Sequence, residues 1–290
     1  MQNLLEMYYG IHAHIDERGY FVYQDQLYCL VEVACINTFL DIYRYYRYFM
    51  YQCQCSGYHI VKNNNQDIIS HHFVLLCYTK SAFHFQNYLF YALQPMTFQK
   101  MKIINIKEQW ISKIDCARDM VKNYAYSFKH DQDLISLIYY YCGLGENSIC
   151  VLNEILSIDQ NASVPLSLSL THPVENNVYE LLNPKNYTIS SRARELVCLL
   201  QSHFITYQQV QELLEMQYYD VYEIIYIYAR VLYPSSFFDD LLCQRLNPQK
   251  IQTYFQHMEE EKEMYINMLE ILSFYVTLPK IDWISQRNML

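Results

Sequence analysis

Leu170-Thr171-His172-Pro173-Val174-Glu175-Asn176-Asn177 is the stretch on which the reading of this chain turns. By itself it is a proline-containing loop with one imidazole, one carboxylate and two amides, and with the hydrocarbon of Val174 among them. It lies in a proline-bearing stretch, 161–191, that reads as strand-poor and interrupts a series of helix candidates. Three further blocks flank it. Gly143-Leu144-Gly145-Glu146-Asn147-Ser148-Ile149 leads into a helix ending in Leu152-Asn153-Glu154, and Ser191-Arg192-Ala193-Arg194-Glu195-Leu196-Val197 opens another after the loop. Tyr228-Ala229-Arg230-Val231-Leu232-Tyr233-Pro234, followed by Phe237-Phe238, closes a third. Each block has a local explanation. Glu146 is favourable near the positive end of a helix dipole, Arg194-Glu195 would be a solvated pair behind a Ser190-Ser191 cap, and Pro234 stops an amphipathic helix. Their joint order is not explained that way.

Upstream, the segment from Gly10 to Val33 reads as strands, with Tyr20–Tyr23 and Leu27–Val33 aromatic and β-branched around a Gln24-Asp25-Gln26 turn. Asn37 to Cys53 is expected as a helix capped by Asn37, since Phe39, Ile42, Tyr43, Tyr46 and Phe49-Met50 recur at helical spacing. Gly57 ends it and opens a second hairpin, Tyr58–Val61 and Phe73–Tyr78, around a 62–67 turn. The expectation is a small antiparallel sheet with one helix, an α+β lobe over 1–80. A mainly helical lobe over 81–290 follows, with helices expected at Asp131–Tyr141, Glu146–Leu156, Arg192–Phe204, Tyr207–Gln217, Tyr222–Leu232 and, with room for one break, Lys250–Tyr275.

Composition removes several functions. The five glycines are Gly10, Gly19, Gly57, Gly143 and Gly145; only the last two are close together, and no lysine follows them. A phosphate-cradling loop needs several adjacent glycines so that backbone N–H groups can approach the anion, so none is expected. A net charge of -9, with Lys and Arg scattered, argues against non-specific nucleic-acid binding. There is no apolar run long enough to cross a bilayer and no basic, apolar leader, so cytoplasmic synthesis and reduced thiols are expected. Cys29, Cys35 and Cys77 read as small hydrophobes. Cys53-Gln54-Cys55 has no second pair at zinc-site spacing, and His12, His14 and His71-His72 read as polar surface positions, so no metal or other cofactor is expected. Neither a Gly-x-Ser-x-Gly elbow nor a His-Glu-x-x-His helix is present.

The four blocks resemble, in this order, the spore-coat kinase-like proteins of endospore-forming bacteria, relatives of the aminoglycoside and choline phosphotransferases. In that family a Gly-x-x-Glu-Asn-Ala-Ile helix precedes a His-containing loop, and an Arg-Asp-Leu-Ala helix start and a Tyr-Ala-Arg-Leu-Leu-Phe-Pro block follow. The resemblance covers most of the chain, strongest from Asp133 to Leu241 and thin before residue 80. It implies a two-lobed protein-kinase-like fold, with a small antiparallel β lobe carrying one helix and a larger, mainly helical lobe.

Phosphoryl transfer is mostly positioning and charge neutralisation, so the parts such a fold needs can be checked. The catalytic loop reads His-x-Asp followed by Asn. Here His172 is present, Val174 stands in the Asp position, Glu175 is adjacent, and Asn176 and Asn177 come earlier than the family spacing. Leu27–Val33 holds no phosphate-binding lysine, which leaves Asp41 on the following helix without that partner. Asn183-Pro184-Lys185-Asn186 offers amides and a lysine where a metal-binding Asp belongs. The resemblance stripped of these groups implies a pseudokinase, a structural or interaction component of spore coat assembly with other coat proteins as partners, in which nucleotide binding is not expected. A divergent small-molecule phosphotransferase of the aminoglycoside or choline kinase kind, and an unrelated helical interaction scaffold, stay open as alternatives. The 31 tyrosines, with runs at 43–51, 139–141 and 218–219, suit either protein contact or a core in which Tyr replaces Phe.

Overall fold

The computed structural model describes residues 2–68, 72–95, 99–124, 132–216, 218–279 and 281; His71, Asp131 and Gln217 lie outside them. The elements run α1 (Gln2–Tyr9), β1 (Tyr20–Tyr23), β2 (Gln26–Glu32), α2 (Ile36–Gln52), β3 (Tyr58–Val61), β4 (Phe73–Tyr78), α3 (Phe85–Ala92), β5 (Lys100–Lys102), α4 (Ile103–Tyr124) and α5 (Gln132–Ile158). They continue with β6 (Ser163–Leu170), α6 (Val178–Leu181), a 3-10 turn (Pro184–Asn186), β7 (Tyr187–Ser191), α7 (Arg192–Gln201), α8 (Tyr207–Met216), α9 (Val221–Leu232), α10 (Ser235–Leu242) and α11 (Pro248–Ser273). Two compact units result: Met1–Met96 with Ser167–Glu195, and Thr97–Leu166 with Leu196–Leu290.

The first unit is built on an antiparallel sheet of order β1-β2-β4-β3. Its first hairpin closes on a two-residue turn in which Gln24 and Asp25 both have positive φ, 48° and 60°, the twist that matches paired strands. One face packs Phe21, Leu30 and Leu75 against Leu5 of α1 and Ile11. Residues 10–16 are therefore not a strand. They are an irregular cover over the sheet, with Ile11 buried and His12 and His14 exposed.

Helix α2 bonds to β3 through two tyrosines. The Tyr43 hydroxyl accepts from Ile60 N–H at 3.1 Å, and the Tyr46 hydroxyl accepts from Tyr58 N–H at 2.8 Å while donating to the Leu182 carbonyl at 2.7 Å. Tyr46→Phe keeps the ring and leaves those two backbone groups buried without the hydroxyl. It should lower stability by about 2 kcal/mol or more, measured by urea unfolding. The helix is not capped by Asn37. Its N-cap is Cys35, which is exposed, and a hydrogen bond from Thr38 lowers that thiol's pKa. Cys29 and Cys77 are buried as small hydrophobes should be.

In the second unit α5 is one 27-residue helix through Gly143 and Gly145, where two helices were expected. The reason is packing: a Cβ on Gly145 would sit 2.8 Å from Ile114 Cδ1 of α4, so glycine here permits close approach of two helices. Helix α9 starts on a capping box of Asp220 and Glu223 and is buried from Glu223 to Leu232, as a central helix must be. Trp110 stacks on Tyr233 at 4.0 Å, and α11 runs unbroken from an Asn247 cap. The stretch 161–191 is not strand-poor, since β6 and β7 lie in it; β5 pairs antiparallel with the first residues of β6, Met101 opposite Val164. Among the described residues no helix is long and apolar enough to cross a membrane.

Candidate functional site

The loop singled out in the sequence connects β6 to α6, wholly within the first unit. Its first turn is held by the 3-10 turn and α7. Thr171 N–H donates to the Asn186 carbonyl at 2.7 Å, and the Arg194 guanidinium donates to the Thr171 carbonyl. His172 and Val174 are half-buried, Glu175 and Asn176 are exposed. Asn177 caps α6, its side-chain oxygen accepting from Glu180 N–H at 2.8 Å. That use occupies one of the two lone pairs of its amide oxygen.

The Glu175 carboxylate is also engaged. Its Oε2 lies 2.6 Å from Arg18 Nη1, and Asn177 Nδ2 donates to it at 3.3 Å. A candidate base must reach the proton it removes, and this one is drawn toward a guanidinium next to β1. Asp41 on α2 pairs with Arg44 at 2.8 Å, on the exposed side of the helix.

Asn183 and Asn186 have structural roles as well. Asn183 is fully buried; it accepts from Lys185 N–H at 3.1 Å and donates to the Tyr20 hydroxyl at 2.8 Å. Asn186 donates to both the carbonyl and the Oε2 of Glu180, at 2.8 and 2.9 Å. Lys185, carried by the 3-10 turn, reaches β2 from the loop side. Its Nζ is 4.0 Å from Cys29 Sγ, 4.5 Å from the Tyr20 ring centre and 3.9 Å from Glu180 Oε2. The strand that lacks a lysine thus receives an ammonium from elsewhere in the chain. Sequence reasoning noted Lys185 and missed Arg18 and Glu180. Arg18 and Lys185 are 167 positions apart, and no local pattern announces the contact.

Behind the loop stands Glu195 of α7, where the resemblance has its Arg-Asp-Leu-Ala helix start. It is not a solvated residue; its exposure is 0%. Leu170 N–H, at the head of the loop, donates to its Oε2 at 2.5 Å, and the Tyr88 hydroxyl donates to Oε1 at 2.7 Å. Tyr88 and Tyr187 hydroxyls are 2.9 Å apart, and Tyr187 donates to the Leu181 carbonyl at 2.7 Å. Burial pushes the Glu195 carboxyl up to about 7, against the opposing effect of its two donors and Arg194. Ser191 Oγ accepts from Arg194 N–H at 3.3 Å, so the expected serine cap is present.

The tyrosine runs divide between buried and exposed positions. On α2, Tyr46 is fully buried, while Tyr45, Tyr48 and Tyr51 are exposed; Tyr218 is exposed and Tyr219 buried. Among the described residues no group of three or more His, Cys, Asp and Glu side chains is placed to hold a metal ion.

The sequence matches no protein-family profile and no curated protein. The structure is similar to the crystal structure of an aminoglycoside phosphotransferase from Alicyclobacillus acidocaldarius subsp. acidocaldarius. The TM-score is 0.52 at 9% identity, and the match covers 91% of this chain and 93% of that one. At this identity the likeness establishes the fold, a kinase-like phosphotransferase fold of mixed α+β type, with a small antiparallel sheet and a larger helical part.

Proposed function

We propose that this chain is a catalytically inactive kinase-like protein serving as a structural or interaction component, in spore coat assembly. The observation that carries the first part is the engagement of four polar side chains around Val174. Glu175 is bound to Arg18, Asn177 caps a helix, and Asn183 and Asn186 hold Tyr20 and Glu180. Glu175, the carboxylate on 172–177, thus rests on a guanidinium instead of facing an acceptor's proton. The spore coat role rests on the resemblance of the four sequence blocks, and the exposed Tyr45, Tyr48, Tyr51 and Tyr218 suit a protein packed into a protein layer.

Purified protein is expected to show no thermal shift with millimolar ATP and Mg²⁺, and no ATP-dependent phosphorylation of choline or aminoglycosides. A ligand held only by the native state at one hundred times its Kd adds about 2.7 kcal/mol, so binding would be plain and would sink this reading. A tagged copy is expected in the coat fraction of spores; recovery solely from vegetative cytosol would remove the second part. The competing reading, a divergent small-molecule phosphotransferase, has one observation in its favour: Lys185 delivers a cation to β2, in a fold shared with an aminoglycoside phosphotransferase. The same two assays decide between them.

A further inference from the structure

We propose that Glu175 and Glu180 act as built-in counterions, holding the place of an external phosphate-type anion at a two-cation site made by Arg18 and Lys185. The inference rests on the reading of 172–186 as the relic of a phosphotransfer site, and it concerns what now fills that site.

The geometry around Lys185 is the starting point. An ammonium has three donors and, in a charge-assisted hydrogen bond, brings its acceptor to about 2.7–2.9 Å. The acceptors around Lys185 Nζ are all farther away: the Arg18 carbonyl at 3.5 Å, Glu180 Oε2 at 3.9 Å and Cys29 Sγ at 4.0 Å. Its remaining neighbour is the Tyr20 face at 4.5 Å, which attracts a cation without using a donor. Glu180 also stands 3.7 Å from Arg18 Nη1, so one carboxylate lies between two cations and is tightly bonded to neither. Its firm bonds are with Asn186, which orients it there.

Arg18 is neutralised instead by Glu175 at 2.6 Å, with Asp16 Oδ2 4.0 Å from its Nε. Both side chains of the Arg18–Glu175 pair are more than half exposed, and such a pair is screened by solvent and opens readily. Two cations with unused donor capacity, held by one buried carboxylate loosely paired with both and by one exposed partner, describe an anion site occupied by the chain itself. Ionic replacement of the two carboxylates, not construction of a new pocket, is what an external anion would require.

The test compares wild-type protein with Glu175→Gln/Glu180→Gln, using inorganic pyrophosphate as the probe and isothermal titration as the readout. Removing the built-in counterions is expected to tighten pyrophosphate binding at least tenfold, with the gain weakening as salt rises. Adding Lys185→Met to the pair of substitutions is expected to abolish that gain. Equal affinity in wild type and double variant, no binding by a folded double variant, or a gain that survives Lys185→Met would each overturn the proposal. If the double variant does not fold, Glu175→Gln alone carries the test, because that side chain is exposed. A threefold or greater gain is then expected, and an unchanged affinity overturns it. Phosphoryl transfer or an ATP shift in the wild type would instead refute the inactive reading and leave the counterion comparison to be judged by its own arms.

Discussion

Glu195→Ala is expected to lower stability by about 3–5 kcal/mol at pH 6, a large share of the roughly 5–15 kcal/mol that holds a domain folded. Three losses add. The Leu170 N–H and the Tyr88 hydroxyl lose their Glu195 partner in a dry interior, each at about 1–3 kcal/mol, and a cavity replaces the side chain. The loss also reaches the loop, because Leu170 is its first residue. Urea unfolding followed by circular dichroism measures the effect, and a change below about 1 kcal/mol would refute this account.

Glu195→Gln should behave differently, for a reason visible in the proton count. Three oxygen–oxygen contacts run in series: Glu195 to Tyr88 at 2.7 Å, Tyr88 to Tyr187 at 2.9 Å, and Tyr187 to the Leu181 carbonyl at 2.7 Å. Each needs one proton, and the two tyrosines supply only two. A protonated Glu195 supplies the third, so the chain of hydroxyls is complete only in the neutral acid. The raised pKa has the same sign. The carboxyl's ordinary value of 4.5 rises to about 7 in the fold, so between those values the folded state binds more protons than the unfolded one. Stability from this group is full below pH 4.5, falls as pH rises, and is lost above about 7, by about 3 kcal/mol in total. A glutamine, always neutral, donates to Tyr88 and accepts from Leu170 at every pH. The variant is therefore expected to flatten the pH profile and to exceed wild type in stability at pH 8. A wild-type stability that rises between pH 5 and 8, with Glu261 of α11 (also pushed up to about 7) held as Gln, would contradict it.

The small sheet was legible because its information is local. Aromatic and β-branched residues mark both hairpins, and the spacing of Phe39, Tyr46 and Phe49 marks α2. Strand β6 was not read, although Leu166, Ser167, Leu168, Ser169 and Leu170 alternate with a period of two; serine is a weak strand former, and Pro165 argued for a break. Gly143 and Gly145 were read as a helix start because glycine usually punctuates, and the close approach to Ile114 that explains Gly145 is visible only in three dimensions. The site shows the same division. His172, Val174 and Glu175 could be placed on one loop from sequence, but the ion pairs of Arg18 and Lys185 and the burial of Glu195 join residues with no common pattern. Arg194-Glu195 after two serines looks like a solvated pair on any helix, and only the two tyrosines and the loop N–H around it make it a core residue.

Gly19→Ala is expected to cost about 4 kcal/mol or more, and it tests whether the Arg18 end of the site depends on one backbone conformation. Gly19 has φ +92°, which L side chains rarely adopt, and a Cβ there would lie 2.4 Å from the Leu30 carbonyl oxygen. A clash with a flexible side chain could be relieved by a rotamer change; this one is with the backbone of a central strand. The same residue joins the sheet, its carbonyl accepting from Leu30 N–H at 2.9 Å, so moving it breaks a ladder bond. Strain at such a dihedral costs about 1–3 kcal/mol, and a lost buried bond with displaced strand packing supplies the rest. Arg18 is fixed on the same turn, Asp16 Oδ1 accepting from Arg18 N–H at 2.9 Å and from Tyr20 N–H at 2.7 Å, so the variant should also loosen the Arg18–Glu175 pair. Gly143→Ala is the matching control. That glycine is inside α5 with nothing within 4 Å of an added Cβ, so alanine should stabilise by roughly 0.5–1 kcal/mol through helix propensity alone. Opposite signs at the two glycines are the expected result in parallel urea titrations. A Gly19→Ala protein as stable as wild type would mean that neither the β1–β2 hairpin nor the Arg18 end of the site depends on this backbone geometry.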